Sequence, residues 1–158
     1  MRIDEVTTAA QLAEARALVK EYIASLEIAL DFQDVDTELA TFPGEYAPPT
    51  GAILLAHDGG TPVGVVALRR LGPKVCEMKR MYVRPEFRHR GLGRELSRRL
   101  IVRAIQLGYE TMRLDTLASM GAAISLYQSL GFREVDPYRF NPVAGARFME
   151  LELRRGDH

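Results

Sequence analysis

Apolar positions change their spacing several times along the chain, and each change marks an element. Leu12, Ala15, Val19, Tyr22, Ile23 and Leu26 recur at three- and four-residue intervals, the stripe of an amphipathic helix. Thr7 or Thr8 is placed to cap it, and Gln11 to close a capping box. A short strand is expected before it over residues 3–6, and the helix is expected to end before Asp31. "DVDTEL" adds a helical turn, and the Pro and Gly of "FPGEYAPPTG" predict a loop.

"AILLA" and "PVGVVAL" are unbroken apolar runs rich in Val and Ile, and "HDGGT" between them predicts a hairpin. "VCEMKRMYV" reads as a third strand of this group, stopped by Pro85. Strand alternation places Glu77, Lys79, Met81 and Val83 on one of its faces. From Gly91 the period becomes helical, with Leu92, Leu96, Leu100, Ala104 and Leu107 on one stripe and Gly108 as terminator. "TMRLDTL" predicts a strand. Ser119 is placed to cap the helix "MGAAISLYQSL", which Gly131 ends. "FREV" and "RFMELEL" supply two last strands on either side of the loop "DPYRFNPVAGA". The order is strand, helix, three strands, helix, strand, helix, two strands. That order predicts an α/β sandwich around a mixed sheet, with residues 1–158 as one domain.

Composition narrows the class. The 158 residues suffice for one core, and 47% of them are apolar. The single cysteine, Cys76, excludes an internal disulfide, and no Cys/His cluster suggests a metal. No apolar run is long enough to cross a membrane. The opening "MRIDEVTTAAQ" lacks the apolar block of a secretory signal, so a cytoplasmic protein is expected. The 21 basic residues balance the 21 acidic ones, but no Lys or Arg stands between Lys20 and Arg69. That interval holds Glu21, Glu27, Asp31, Asp34, Asp36, Glu38, Glu45 and Asp58. Such asymmetry fits two differently charged ligands, or two solvated faces of opposite sign.

The stretch "YVRPEFRHRGLGREL" gathers positive charge on one turn between strand and helix. A helix starting near Gly91 leaves its first N–H groups without intrahelical partners, and its dipole makes that end positive. Glycines at 91 and 93 allow close approach to the backbone, and Arg88, Arg90 and Arg94 add charge. A diphosphate suits that environment. A Walker loop needs Gly-Lys-Ser/Thr where Gly93-Arg94-Glu95 stands, and a dinucleotide fingerprint needs glycine where Leu96 stands. The run Arg88-His89-Arg90-Gly91-Leu92-Gly93 instead resembles the R/Q-x-x-G-x-G/A signature of the GNAT superfamily of N-acetyltransferases. "EMKRMYVRPEFRHRGLGREL" is similar to that family's fourth strand, pyrophosphate loop and third helix. "RLDTLASMGAAISLYQSLGF" is similar to its fifth strand and fourth helix, with L-Y-x-x-L-G-F at residues 126–132.

The resemblance implies a largely antiparallel mixed sheet of about seven strands flanked by about four helices. It also implies acetyl-CoA as co-substrate, without a metal, and direct acetyl transfer to an amine in a ternary complex. Arg88, His89, Arg90, Gly91, Leu92, Gly93 and Arg94 are then expected at the pyrophosphate. Met81, Tyr82 and Val83 are expected along the pantetheine, and Ser119 beside Met120, where the family often has Asn. Tyr127 matches the tyrosine that protonates the departing thiolate, and Glu77 matches the glutamate that serves the histone-acetylating branch as base. A base, or a site that lowers the amine pKa, is needed: an alkylamine with pKa ~10.4 leaves only about one molecule in a thousand as free nucleophile at neutral pH. Cys76 has no histidine beside it, so an acyl-cysteine route is not expected.

In this fold the first helices border the acceptor side, which here is the stretch without Lys or Arg. Asp31, Asp34 and Asp36 are therefore expected to steer a small cationic amine or a peptide N-terminus. A non-catalytic acyl-CoA sensor or interaction module is the alternative, with the anion loop but no use for Glu77 and Tyr127. Arginine without interleaved aromatics does not suggest nucleic acid. Pairing of two copies through the last strands is common in the family.

Overall fold

The computed structural model describes residues 1–26, 35–117, 121–139 and 145–153. In chain order the elements are β1 (Arg2–Glu5), α1 (Ala9–Ser25), α2 (Val35–Thr41), β2 (Ala52–Asp58), β3 (Thr61–Gly72) and β4 (Val75–Val83). They continue with α3 (Leu92–Gln106), β5 (Thr111–Leu117), α4 (Gly121–Ser129), β6 (Arg133–Val135) and β7 (Ala146–Glu152). The strands form one seven-stranded sheet ordered β1-β2-β3-β4-β5-β7-β6. Every pairing is antiparallel except β4 with β5.

The unbroken apolar runs of β2 and β3 are explained by burial on both faces. Ile53, Leu55, Val65 and Ala67 pack under α1 with Ala15, Leu18 and Val19. Their neighbours Leu54, Ala56, Val66 and Leu68 pack on the other face with Leu92, Leu96, Leu100 and Ala104 of α3. The hairpin between β2 and β3 turns at Gly59 and Gly60, whose φ values of +58° and +91° only glycine adopts freely. Thr8 caps α1 as its sequence predicts: its hydroxyl accepts from the Gln11 amide at 3.1 Å, and the Gln11 side chain accepts from the Thr8 amide at 3.1 Å. Ser119, the expected cap of α4, lies outside the described residues, as do Asp31 and Asp34.

One expectation about β4 is overturned. The β3–β4 register advances two residues on β3, Val65 to Ala67, against three on β4, Tyr82 to Lys79. The extra residue is a bulge, and Arg80 within it has φ +59°. Alternation therefore changes phase at Arg80. Glu77 and Lys79 share the α1 face with Tyr82, whereas Met81 and Val83 pack with Cys76 and Met78 on the α3 face. The strained backbone is held by α2: the Arg80 guanidinium grips the Glu38 carboxylate at 2.8 and 2.9 Å.

Candidate active site

The central sheet opens at β4 and β5. These strands pair over only Val75–Thr111, Cys76–Met112 and Glu77–Arg113. Beyond that point β4 stays with β3 and β5 stays with β7, so the two strands part as a fork. The Arg84 amide donates to Val63 of β3 at 2.9 Å. Period two then turns the backbone groups of Tyr82 towards β3 and those of Val83 into the fork, and the same alternation sends those of Met81 there. The Val83 carbonyl accepts from Arg88 Nε at 2.9 Å. The Tyr82 side chain leaves to the other face and donates its hydroxyl to Glu21 at 2.8 Å.

At the open end of the fork, α3 begins. Gly91 is its N-cap, with φ +79° and no side-chain cap. A Cβ at Gly91 would meet nothing within 4 Å, so the glycine serves the backbone turn and leaves space over the helix start. Gly93 has a different job. A Cβ there would stand 3.6 Å from Leu126 and 4.0 Å from Val83, so the glycine lets α3 pack closely on α4 and β4. Leu92 is buried in the α3-side core. His89 has φ +64° and is exposed. Arg88 lies over the Tyr82 ring at 5.8 Å and Arg90 over Phe87 at 5.3 Å, while Arg94 donates to the Ser129 hydroxyl at 2.6 Å. Among the described residues none of these three arginines forms an ion pair, whereas Arg69, Arg80, Arg84, Arg103, Arg113 and Arg139 all do. Uncapped amides and unpaired guanidinium groups at one turn fit a diphosphate.

Tyr127 stands on α4, its ring edge against Phe132 at 5.7 Å. Burial pushes its phenol well above the usual tyrosine range, and Tyr22 and Asp115 add to the shift. Among the described residues its hydroxyl has no hydrogen-bond partner. Cys76 is fully buried on the α3 face, and burial likewise pushes its thiol up. A thiol held protonated there is a core side chain and not a nucleophile.

Glu77 is inaccessible to solvent, and its carboxylate is engaged on every side. Arg69 Nε donates to Oε1 at 2.8 Å, the Tyr138 hydroxyl to Oε2 at 2.6 Å, and Arg139 approaches Oε2 at 3.1 Å. Arg139 also donates to Asp115 of β5 at 2.8 Å. One guanidinium thus joins β4 to β5 beyond the point where their backbones part. Lys79 was a plausible partner for Glu77 by alternation, yet no ion pair joins them, and the arginines take the carboxylate instead. The cluster of Arg69, Tyr138 and Arg139 was not legible in the sequence. Arg69 comes opposite Glu77 only through the hairpin register, and the other two arrive from a loop after β6.

The acidic stretch is also changed by the fold. Glu21 pairs with Arg84, Glu38 with Arg80 and Glu45 with Arg69. Asp36 alone of the three expected acceptor-side aspartates is described, and it is exposed in the first turn of α2. Among the described residues no group of His, Cys, Asp and Glu could hold a metal ion, and no helix is long and apolar enough to cross a membrane.

Comparison with known proteins agrees with this geometry. Residues 15–132 match the model of the acetyltransferase (GNAT) family. An uncharacterised N-acetyltransferase of Schizosaccharomyces pombe is 42% identical over 155 residues, covering 97% of this chain and 95% of that protein. N-acetylaspartate synthetase of Danio rerio is 36% identical over 118 residues, covering 72% of this chain and 42% of that protein. The acetyltransferase yncA of Salmonella typhimurium, solved with its cofactor acetyl-CoA, superposes with a TM-score of 0.74 at 23% identity, over 98% of this chain and 95% of that one. With a forked sheet, an uncapped helix start at the fork and these relatives, the chain belongs to the GNAT family of acetyl-CoA-dependent N-acetyltransferases.

Proposed function

We propose that this enzyme acetylates a primary amine by direct attack at the β4–β5 fork, with acetyl-CoA entering from the α3 side and the amine from the α1 side. The observation that carries this reading is the fork itself: three paired residues, then two diverging strands with the backbone of Met81 and Val83 turned into the gap. The Arg88 to Arg94 turn holds the pyrophosphate, and Met81 and Val83 offer backbone groups to the pantetheine. The amine nitrogen attacks the thioester carbonyl, the carbon–sulfur bond breaks, and Tyr127 gives its proton to the departing thiolate. Burial keeps Tyr127 protonated across the physiological range, so the group carries its proton when the thiolate leaves.

Glu77 enters this mechanism in an altered part. With Arg69, Tyr138 and Arg139 on its oxygens it orients those three groups and is not itself free to take the amine's proton. Deprotonation of the amine is instead favoured by withdrawal from water on the acceptor side, where burial already makes Lys79 easier to discharge. A cationic acceptor steered by Asp31, Asp34 and Asp36 is a second reading. It keeps the exposure of Asp36 in its favour, but Glu21, Glu38 and Glu45 are already neutralised by arginine. CoA thiol release from acetyl-CoA with a panel of amines tests the reaction. Release that depends on the amine, with the acetylated amine found by mass spectrometry, is expected. Release independent of every amine would sink it.

A further inference from the structure

One cation on the acceptor face stands outside its ion pairs. Arg69 pairs with Glu77 and Glu45, Arg80 with Glu38, Arg139 with Glu77 and Asp115, and Arg113 with Glu150. Four arginines thus serve five carboxylates, and among the described residues Lys79 pairs with none of them. Lys79 is 8% exposed, on the same face as Glu77, one residue before the bulge. Among the described residues no carboxylate lies within ion-pair distance of its ammonium. A buried cation without a counter-ion is costly, and the cost is visible: burial first, with Arg80 and Arg139 adding to it, pushes the Lys79 pKa down to about 8, against the pull of Glu77 and Asp115. Proteins rarely bury a lysine unpaired. A counter-ion that arrives with a ligand accounts for one here.

We propose that Lys79 receives a carboxylate of the acceptor, so that the amine acetylated at the fork belongs to a free amino acid and not to a polyamine or an amino sugar. The inference rests on the acetyl-transfer reading and narrows its substrate class. The one ammonium outside these ion pairs matches a single carboxylate. A phosphate dianion would find only that ammonium unengaged, because the neighbouring guanidinium groups are already held by carboxylates. A peptide N-terminus carries an amide carbonyl where a free amino acid carries its α-carboxylate, so Lys79 also separates those two classes. Binding restores the full charge of Lys79, since an anion favours the ammonium.

The test is CoA release at saturating acetyl-CoA from glycine, aspartate, leucine and phenylalanine, each beside its α-amide, with putrescine as a carboxylate-free cation. At least one free acid is expected to exceed its amide and putrescine by tenfold or more in kcat/KM. In Lys79→Met that ratio falls towards one, and the fall appears in KM. For the wild type, KM for the acid rises above pH 8 as Lys79 loses its proton, while KM for an amide does not follow that profile. If Lys79→Met does not fold, the wild-type ratio and pH profile decide alone. Amides or putrescine used as well as the acids would overturn this inference and leave acetyl transfer standing. No turnover with any amine would remove both.

Discussion

Burial acts in opposite senses on Tyr127 and Lys79: it keeps the phenol protonated and makes the ammonium easier to discharge. Tyr127→Phe keeps the ring contact with Phe132 and removes only the donor. We expect kcat to fall by about 10²-fold, with acetyl-CoA affinity unchanged by calorimetry. A kcat within twofold of wild type would remove Tyr127 from the proton path. Lys79 makes a second prediction through stability. Its folded pKa of about 8 lies below the unfolded value of about 10.5, so between those pH values the unfolded chain holds more protons and stability rises with pH. Below pH 8 the cost of burying the cation is present in full. Lys79→Met is therefore expected to stabilise the ligand-free protein by about 1–3 kcal/mol at pH 7. That advantage should shrink as the pH rises from 8 to 10, as read by urea unfolding. A variant less stable than wild type at pH 7 contradicts the unpaired-cation account. Tyr127 was legible in the sequence because "LYQSLGF" fixes both its helix and its place near the end of that helix. The role of Lys79 was not, because the groups that isolate it come from α2, from β5 and from the segment at 138–139.

At the scale of elements, α3 and β4 carry the proposed site. The start of α3 was legible because Gly-x-Gly after a proline-stopped strand leaves few other conformations. Gly91 fulfils that reading with its left-handed φ and open space above it, while Gly93 fulfils a packing one. Gly91→Ala is expected to cost about 1–2 kcal/mol in stability, because alanine is strained at φ +79°. It should also weaken acetyl-CoA binding, whereas Gly93→Ala should be milder on both counts. Equal behaviour of the two variants in thermal unfolding and CoA titration would contradict this division. The bulge at Arg80 could not be read from alternation, since one added residue changes the face of all that follow. Its cause lies in a long-range contact: the Arg80 to Glu38 fork ties β4 to α2 across 42 positions of sequence.

For the whole molecule, the two-layer arrangement explains how one gap can serve two substrates. The sheet separates an α1 face from an α3 face, and the fork between β4 and β5 is where its strands part. The layers were legible from the apolar runs, which must be covered on both sides. The charge asymmetry of the sequence was legible too, but its meaning was not. Folding brings Arg69, Arg80 and Arg84 against Glu45, Glu38 and Glu21, and these three acids of the stretch are neutralised within the fold. The central claim is that the helix start at Gly91 and the edge of β4 aim a thioester through this gap. A crystal structure of the protein with acetyl-CoA tests it most directly. The account predicts the pyrophosphate over the amides that follow Gly91, the pantetheine along Met81 and Val83, and the acetyl group in the fork near the Tyr127 hydroxyl. Acetyl-CoA bound elsewhere, or a fork filled by side chains with the coenzyme excluded, would contradict it.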